Sequence, residues 1–152
     1  MEKQPLIRIT KRFQFEAAHA LWNYDGPCRN IHGHSYVLYV TVAGYPNTGP
    51  DDPKCGMVMD FSLIKKIVNK EIIELFDHAL MVNAGTPHNE IIQSGELFGK
   101  VMALPYQPTC ENMVADFSRR LRNSFPGHVR LFSLRLHETD TAYAEWLASD
   151  NS

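Results

Sequence analysis

The chain has 152 residues, 44% of them apolar and 21% charged, which is the make-up of one ordinary globular domain and excludes disorder for its bulk. Fifteen Lys and Arg against 17 Asp and Glu leave a net charge of −2, so there is no positive field to hold nucleic acid or an anionic membrane. No apolar run approaches the roughly 18 residues of a membrane span, and the opening MEKQPLIRITKRF lacks the apolar stretch of a signal peptide; a single cytoplasmic domain over residues 1–152 is expected.

Residues 6–19 alternate. Ile7, Ile9, Phe13, Phe15 and Ala17 fall on one side and Arg8, Thr10, Arg12, Gln14 and Glu16 on the other, which predicts a half-buried strand with His19 ending its apolar face. Trp22 to Ile31 carries turn chemistry around Asp25-Gly26-Pro27, with Cys28 inside it. A second strand is predicted over His32–Gly44 from its β-branched and aromatic residues; both its faces are apolar, so it belongs in the middle of a sheet or under another subunit.

Tyr45–Gly56 is a Pro/Gly/Asp loop. Asp60 or Ser62 can cap the helix that follows, whose stripe is Ile64, Ile67, Val68, Ile72, Leu75 and Phe76 and which should end near Asp77-His78. Ala84–Pro108, broken by Gly85, Pro87, Gly95, Gly99 and Pro105, reads as an excursion with one short element. Thr109 can cap a second helix with the stripe Met113, Val114, Phe117, Leu121 and Phe125, stopped by Pro126-Gly127. A third strand spans about Val129–Glu138, with Phe132, Leu134 and Leu136 alternating with Ser133, Arg135 and His137, and a fourth covers Tyr143–Leu147. The order β-β-α-α-β-β predicts an α+β fold with a four-stranded antiparallel sheet and two helices on one face. Its long edges and apolar second face predict self-association through the sheet.

Three cysteines, Cys28, Cys55 and Cys110, make an odd count, which favours reduced thiols over a disulfide framework. Three of the seven histidines form a pattern. His32 and His34 are i, i+2 and share one face of a strand, and His19 ends the neighbouring strand in matching register. Three imidazoles with an open fourth position suit a catalytic Zn²⁺, although iron or another divalent ion fits the same donors. The competing reading is two surface histidines and a buried one.

Cys28 lies four residues before His32. It can be a base with a lowered pKa, a fourth metal ligand or an inert thiol. His78 at a helix C-terminus suits a proton shuttle, but position alone favours simple interaction with the helix dipole, and neighbouring side chains such as Asp77 and His78 seldom hydrogen-bond each other well. Glu138 falls on the apolar register of its strand, so its carboxylate needs a partner. That partner is either a planar ligand edge with two N–H donors or an arginine such as Arg135 or Arg8. Thr109 and Glu111 can touch a ligand at a helix start, or Thr109 can simply cap it.

The stretches FEAAH (Phe15–His19), CRNIHGHSY (Cys28–Tyr36), GMVMDF (Gly56–Phe61), FDHALMVN (Phe76–Asn83), PTCEN (Pro108–Asn112) and HET (His137–Thr139) together resemble the 6-pyruvoyltetrahydropterin synthase superfamily. The Cys-x-x-x-His-Gly-His-Ser spacing is similar to the branch that makes 6-carboxy-5,6,7,8-tetrahydropterin for queuosine. The resemblance implies the tunnelling fold (T-fold), with trimers or dimers of trimers and active sites between subunits. It implies one Zn²⁺ per subunit on His19, His32 and His34, Cys28 as proton acceptor, and Asp77, His78 and Glu138 as a relay. It also implies that Glu138, Thr109 and Glu111 bind the pterin. The implied activity is a zinc-dependent lyase that converts 7,8-dihydroneopterin triphosphate to 6-carboxytetrahydropterin, acetaldehyde and triphosphate. The alternatives are a 6-pyruvoyltetrahydropterin synthase, which eliminates triphosphate and keeps the carbons, and a non-catalytic zinc- or pterin-binding module.

Overall fold

The computed structural model describes residues 2–92 and 96–152, so Gly95 of the excursion lies outside the described residues. Strand β1 (Ile7–His19) pairs antiparallel with β2 (His32–Gly44) along its whole length, from Ile7 opposite Gly44 to His19 opposite His32. The predicted alternation sorts the faces as expected: Phe13, Phe15, Ala17 and His19 are buried, and Arg12, Gln14 and Glu16 are exposed. Ile7, at the strand's outer end, is exposed. β2 is central, as its two apolar faces require, lying between β1 and β5 (Val129–Thr139). β6 (Ala142–Leu147) completes an antiparallel run on the far side of β5.

The sheet is larger than expected and not wholly antiparallel. It has six strands in the order β4-β3-β1-β2-β5-β6, and two short strands lie parallel beyond β1: β3 (Ala79–Asn83) beside β1, then β4 (Val101–Leu104). The four-stranded antiparallel expectation is therefore corrected. It missed β3 and β4 because four- and five-residue runs offer too few residues to show a period. β4 lies within the 84–108 excursion, which also forms a short helix, α2 (Pro87–Ile92).

Helix α1 (Phe61–Val68) is capped by Asp60, whose side chain accepts from the Ser62 N–H at 2.8 Å. It continues through a π turn at Asn69–Ile73 and ends with Glu74–Phe76. Ile64, Val68, Ile72 and Phe76 are all fully buried, a strict four-residue spacing. On an ideal α-helix that stripe would drift about 40° per step; the wider π turn takes up the drift and leaves Leu75 exposed, against expectation. Helix α3 (Cys110–Leu121) is capped by Thr109 and buries Met113, Val114, Phe117 and Leu121. It stops before Pro126-Gly127, though Phe125 still packs on the core.

These two helices cover one face of the sheet and form the main core with Phe15, Tyr36, Leu38 and Leu134. α2 packs elsewhere. Alternation along β3 sends Met81 into the main core and Leu80 and Val82 the other way, where Ile92 of α2 joins them in a second small cluster.

β5 departs from its predicted alternation at two irregularities. Opposite Thr41 and Val42 the register jumps from Ser133 to Leu131, so Leu131 is buried and Phe132 is bulged out beneath the Arg8 guanidinium at 3.8 Å. The second lies between His137 and Thr139, at Glu138. Among the described residues no helix is long and apolar enough to cross a membrane.

Candidate metal centre

The β1–β2 register makes His19 and His32 direct cross-strand partners, and His34 is two residues further along β2 on the same face. Ring centroids are 4.6 Å apart for His19–His32, 4.9 Å for His32–His34 and 5.2 Å for His19–His34. One nitrogen from each ring lies within 4.8 Å of the others, and this is the cluster of potential metal ligands found among the described residues. Cys28 is not part of that cluster, which consists of three imidazoles.

The donor set asks for a cation. The carbonyls of Pro108 and Asn30 accept from Nδ1 of His19 and His32, both at 2.7 Å, which assigns the protons to Nδ1 and leaves lone pairs on Nε2. Those two Nε2 atoms face each other at 3.0 Å. His34 Nε2 is buried and has no hydrogen-bond partner among the described residues. Glu138 Oε1 adds a further electron-rich atom, 3.4 Å from His19 Nε2 and 3.5 Å from His34 Nε2. Burial pushes the pKa of both His19 and His34 down, favouring the neutral rings that bind metal. The Nε2 lone pairs of His19 and His32, converging beside His34 and the Glu138 carboxylate, are a donor set that could hold a divalent ion, and the Pro108 and Asn30 carbonyls fix the two rings in that orientation.

Glu138 reaches this cluster because it sits at the second β5 irregularity, which re-aims its side chain. The alternative of an arginine partner is not seen: Arg135 pairs with Glu145 and lies over Tyr143, and Arg8 lies over Phe132. Cys28 is half-buried in a single 3₁₀ turn, Pro27–Arg29, on the loop that joins His19 to His32. Cys110 is buried and directs its Sγ to the Leu136 carbonyl at 3.1 Å, and burial pushes its thiol up to about 11.

Asp77 and His78 do meet, against the expectation for adjacent residues: Asp77 Oδ1 lies 3.1 Å from His78 Nδ1. The reason is backbone. His78 has φ +60°, a left-handed turn that folds its ring back toward the preceding carboxylate. Asp77 Oδ1 also accepts from the Glu16 N–H at 2.9 Å, and this hydrogen bond is the main cause of its depressed pKa. Lys100 Nζ ties the helix end down by donating to the carbonyls of Glu74 and Asp77 at 2.8 and 2.6 Å. Composition alone did not single out Lys100; a lysine at a helix C-terminus is recognisable only once the excursion has folded back. His78 is largely exposed and lines a cleft of ≈ 480 Å³ with Glu16, Ala18, His34, Ser35, Phe98 and Lys100. No polar contact joins Asp77 or His78 to the three histidines within one chain among the described residues. Thr109 Oγ1 accepts from the Asn112 N–H at 3.2 Å as a cap, and Glu111 is exposed in the first turn of the helix.

The comparisons with known proteins agree with this architecture. The family model of 6-pyruvoyl tetrahydropterin synthase matches residues 8–148. A 6-carboxy-5,6,7,8-tetrahydropterin synthase of Haemophilus influenzae is 33% identical over 143 residues, covering 93% of this chain and 99% of its own. One of Synechocystis is 42% identical over 126 residues, covering 74% and 95%. The 6-pyruvoyl tetrahydropterin synthase of Caenorhabditis elegans superposes with a TM-score of 0.68 at 24% identity, over 97% of this chain and 99% of that one. A hairpin that sets three imidazoles around one point, inside a match spanning nearly the whole length, places this chain in the 6-pyruvoyl tetrahydropterin synthase family.

Proposed function

We propose that the protein is a zinc-dependent lyase that converts 7,8-dihydroneopterin triphosphate and water to 6-carboxy-5,6,7,8-tetrahydropterin, acetaldehyde and triphosphate, in the supply of the queuosine precursor. The carrying observation is the convergence of His19, His32 and His34 nitrogens within 4.8 Å, with no sulfur closing the set. The two relatives described above, both 6-carboxytetrahydropterin synthases, support the choice of product.

His19, His32 and His34 would hold the zinc, which supplies Lewis acidity to substrate oxygens. Cys28, on the loop between the first two ligands, takes the proton from the substrate side chain as thiolate. His78, held by Asp77, returns a proton as charge moves onto the ring. Glu138 fixes the pterin edge beside the metal, and Thr109 and Glu111 complete its seat at the start of α3. Asp77 and His78 make no polar contact with the histidines of their own chain, so the reading places them against the metal centre of a neighbouring subunit. The unpaired edges of β4 and β6 supply the means of joining sheets.

Mass spectrometry of the products from 7,8-dihydroneopterin triphosphate tests the assignment. Carboxytetrahydropterin and acetaldehyde in equal amounts are expected. Triphosphate release with all side-chain carbons retained on the pterin makes the protein a pyruvoyltetrahydropterin synthase instead.

A further inference from the structure

The loop of residues 20–31 connects two histidines of the cluster and carries Cys28, whose turn is held by the Arg29 and Asn30 N–H groups donating to the Gly26 and Pro27 carbonyls at 3.3 and 3.1 Å. Its base is closed by the Leu21 N–H donating to the Cys28 carbonyl at 3.1 Å. The next residue, Trp22, is gripped from outside. Gln107 Oε1 accepts from the Trp22 N–H at 3.3 Å, and Gln107 Nε2 donates to the Trp22 carbonyl at 2.9 Å. One side-chain amide thus satisfies both backbone groups of a single loop residue, as a neighbouring strand would. The His88 ring stands edge-on to the Trp22 indole at 5.0 Å, so the 84–108 excursion supports the loop from a second side.

Gln107 is itself held in place. Its carbonyl accepts from the Thr109 N–H at 2.7 Å and from Asn112 Nδ2 at 3.0 Å. The carbonyl of its neighbour Pro108 is the group that orients His19. Three consecutive residues therefore bear on three parts of the site: Gln107 on the Cys28 loop, Pro108 on a metal ligand, and Thr109 on the first turn of α3. We propose that Gln107 is a positioning residue: its side-chain amide clamps Trp22 and so sets the Cys28 thiol relative to the histidine cluster. The inference rests on Cys28 being the base of the proposed reaction.

Gln107→Ala removes the clamp and leaves every backbone contact of residues 107–109 intact. Two neutral hydrogen bonds of ordinary strength correspond to roughly a tenfold or larger change in loop population. In a Cys55→Ser background, where Cys28 is the remaining accessible thiol, iodoacetamide should alkylate Cys28 about tenfold faster. Zinc content should not change, and kcat should fall about tenfold with KM within twofold. Gln107→Glu, which keeps an acceptor for the Trp22 N–H but loses the donor to its carbonyl, should lie between the two. An unchanged or slower alkylation rate in Gln107→Ala overturns the proposal, whatever happens to turnover. Loss of zinc overturns it too, since the effect would then run through His19. If alkylation accelerates but Cys28→Ala retains full turnover, the clamp stands and the role given to Cys28 fails.

Discussion

At the residue scale the site is defined by where protons are and are not. Nδ1 of His19 and His32 is committed to a backbone carbonyl in each case, so Nε2 of each is left to face the other at 3.0 Å. Without a cation that contact is repulsive between neutral rings. His19 and His34 are held below the ordinary imidazole value of 6.5, first by burial. Below pH 6.5 the unfolded chain therefore binds more protons at these positions than the folded one. The metal-free protein should lose stability as pH falls through that value, and the loss should stop growing once pH is below both folded values. Urea midpoints of chelator-treated protein from pH 8 to 5 test this, and His19→Asn should flatten the dependence. Cys28 is outside the histidine cluster, so on the proposed mechanism Cys28→Ala should bind zinc as the unaltered protein does while kcat falls by about 10²–10⁴. Zinc lost along with the thiol would show a closed, structural site.

At the element scale, irregularities position the groups given roles in the proposed reaction. Glu138 sits at a strand irregularity, His78 in a left-handed turn, and Cys28 in a 3₁₀ turn three residues long. The regular elements serve as the frame. Thr109 is the clearest case of a residue with two roles to separate. As the cap of α3 it should contribute about 1 kcal/mol, so Thr109→Ala should lower the unfolding free energy by that amount. Thr109→Ser restores the cap. If Thr109 also seats the pterin, Thr109→Ala raises KM beyond what its stability loss explains, and Thr109→Ser recovers both.

At the scale of the whole molecule, the Asp77–His78 pair and the histidine cluster make no polar contact within one chain. In the proposed assembly each site draws on two chains. Mixing inactive Cys28→Ala with inactive His78→Ala under subunit exchange should restore a fraction of turnover, because some sites then combine an intact thiol with an intact imidazole. No recovery in mixed oligomers would place the whole site in one chain. Phe117, fully buried between Phe15 and Phe76 with ring centroids 6.1 and 5.0 Å away, joins helix to sheet. Phe117→Ala should cost about 3–5 kcal/mol in denaturant unfolding.

Much was readable in the residues themselves. The two-residue period of β1 and β2 put His19, His32 and His34 on one face, because register follows from burying Phe13, Phe15, Tyr36 and Leu38 together. Both helix starts were visible, one with Thr109 as its cap and the other with Asp60 or Ser62, between which the structure chose Asp60. Other features were set by contacts distant in sequence, which no local pattern encodes. β3 forms only because β1 offers it an edge 62 residues away in the Ala17–Ala79 pairing. The Asp77–His78 contact depends on a backbone angle, and Gln107 matters only because folding carries it to Trp22, 85 residues earlier in the chain. The sequence by itself determined the periodic strands, the capped helices and the shared face of the histidines, since those follow from local burial. The tertiary structure alone decided the parallel strands, the aim of Glu138 and the grip on the Cys28 loop, since each depends on a partner that only the folded chain brings near.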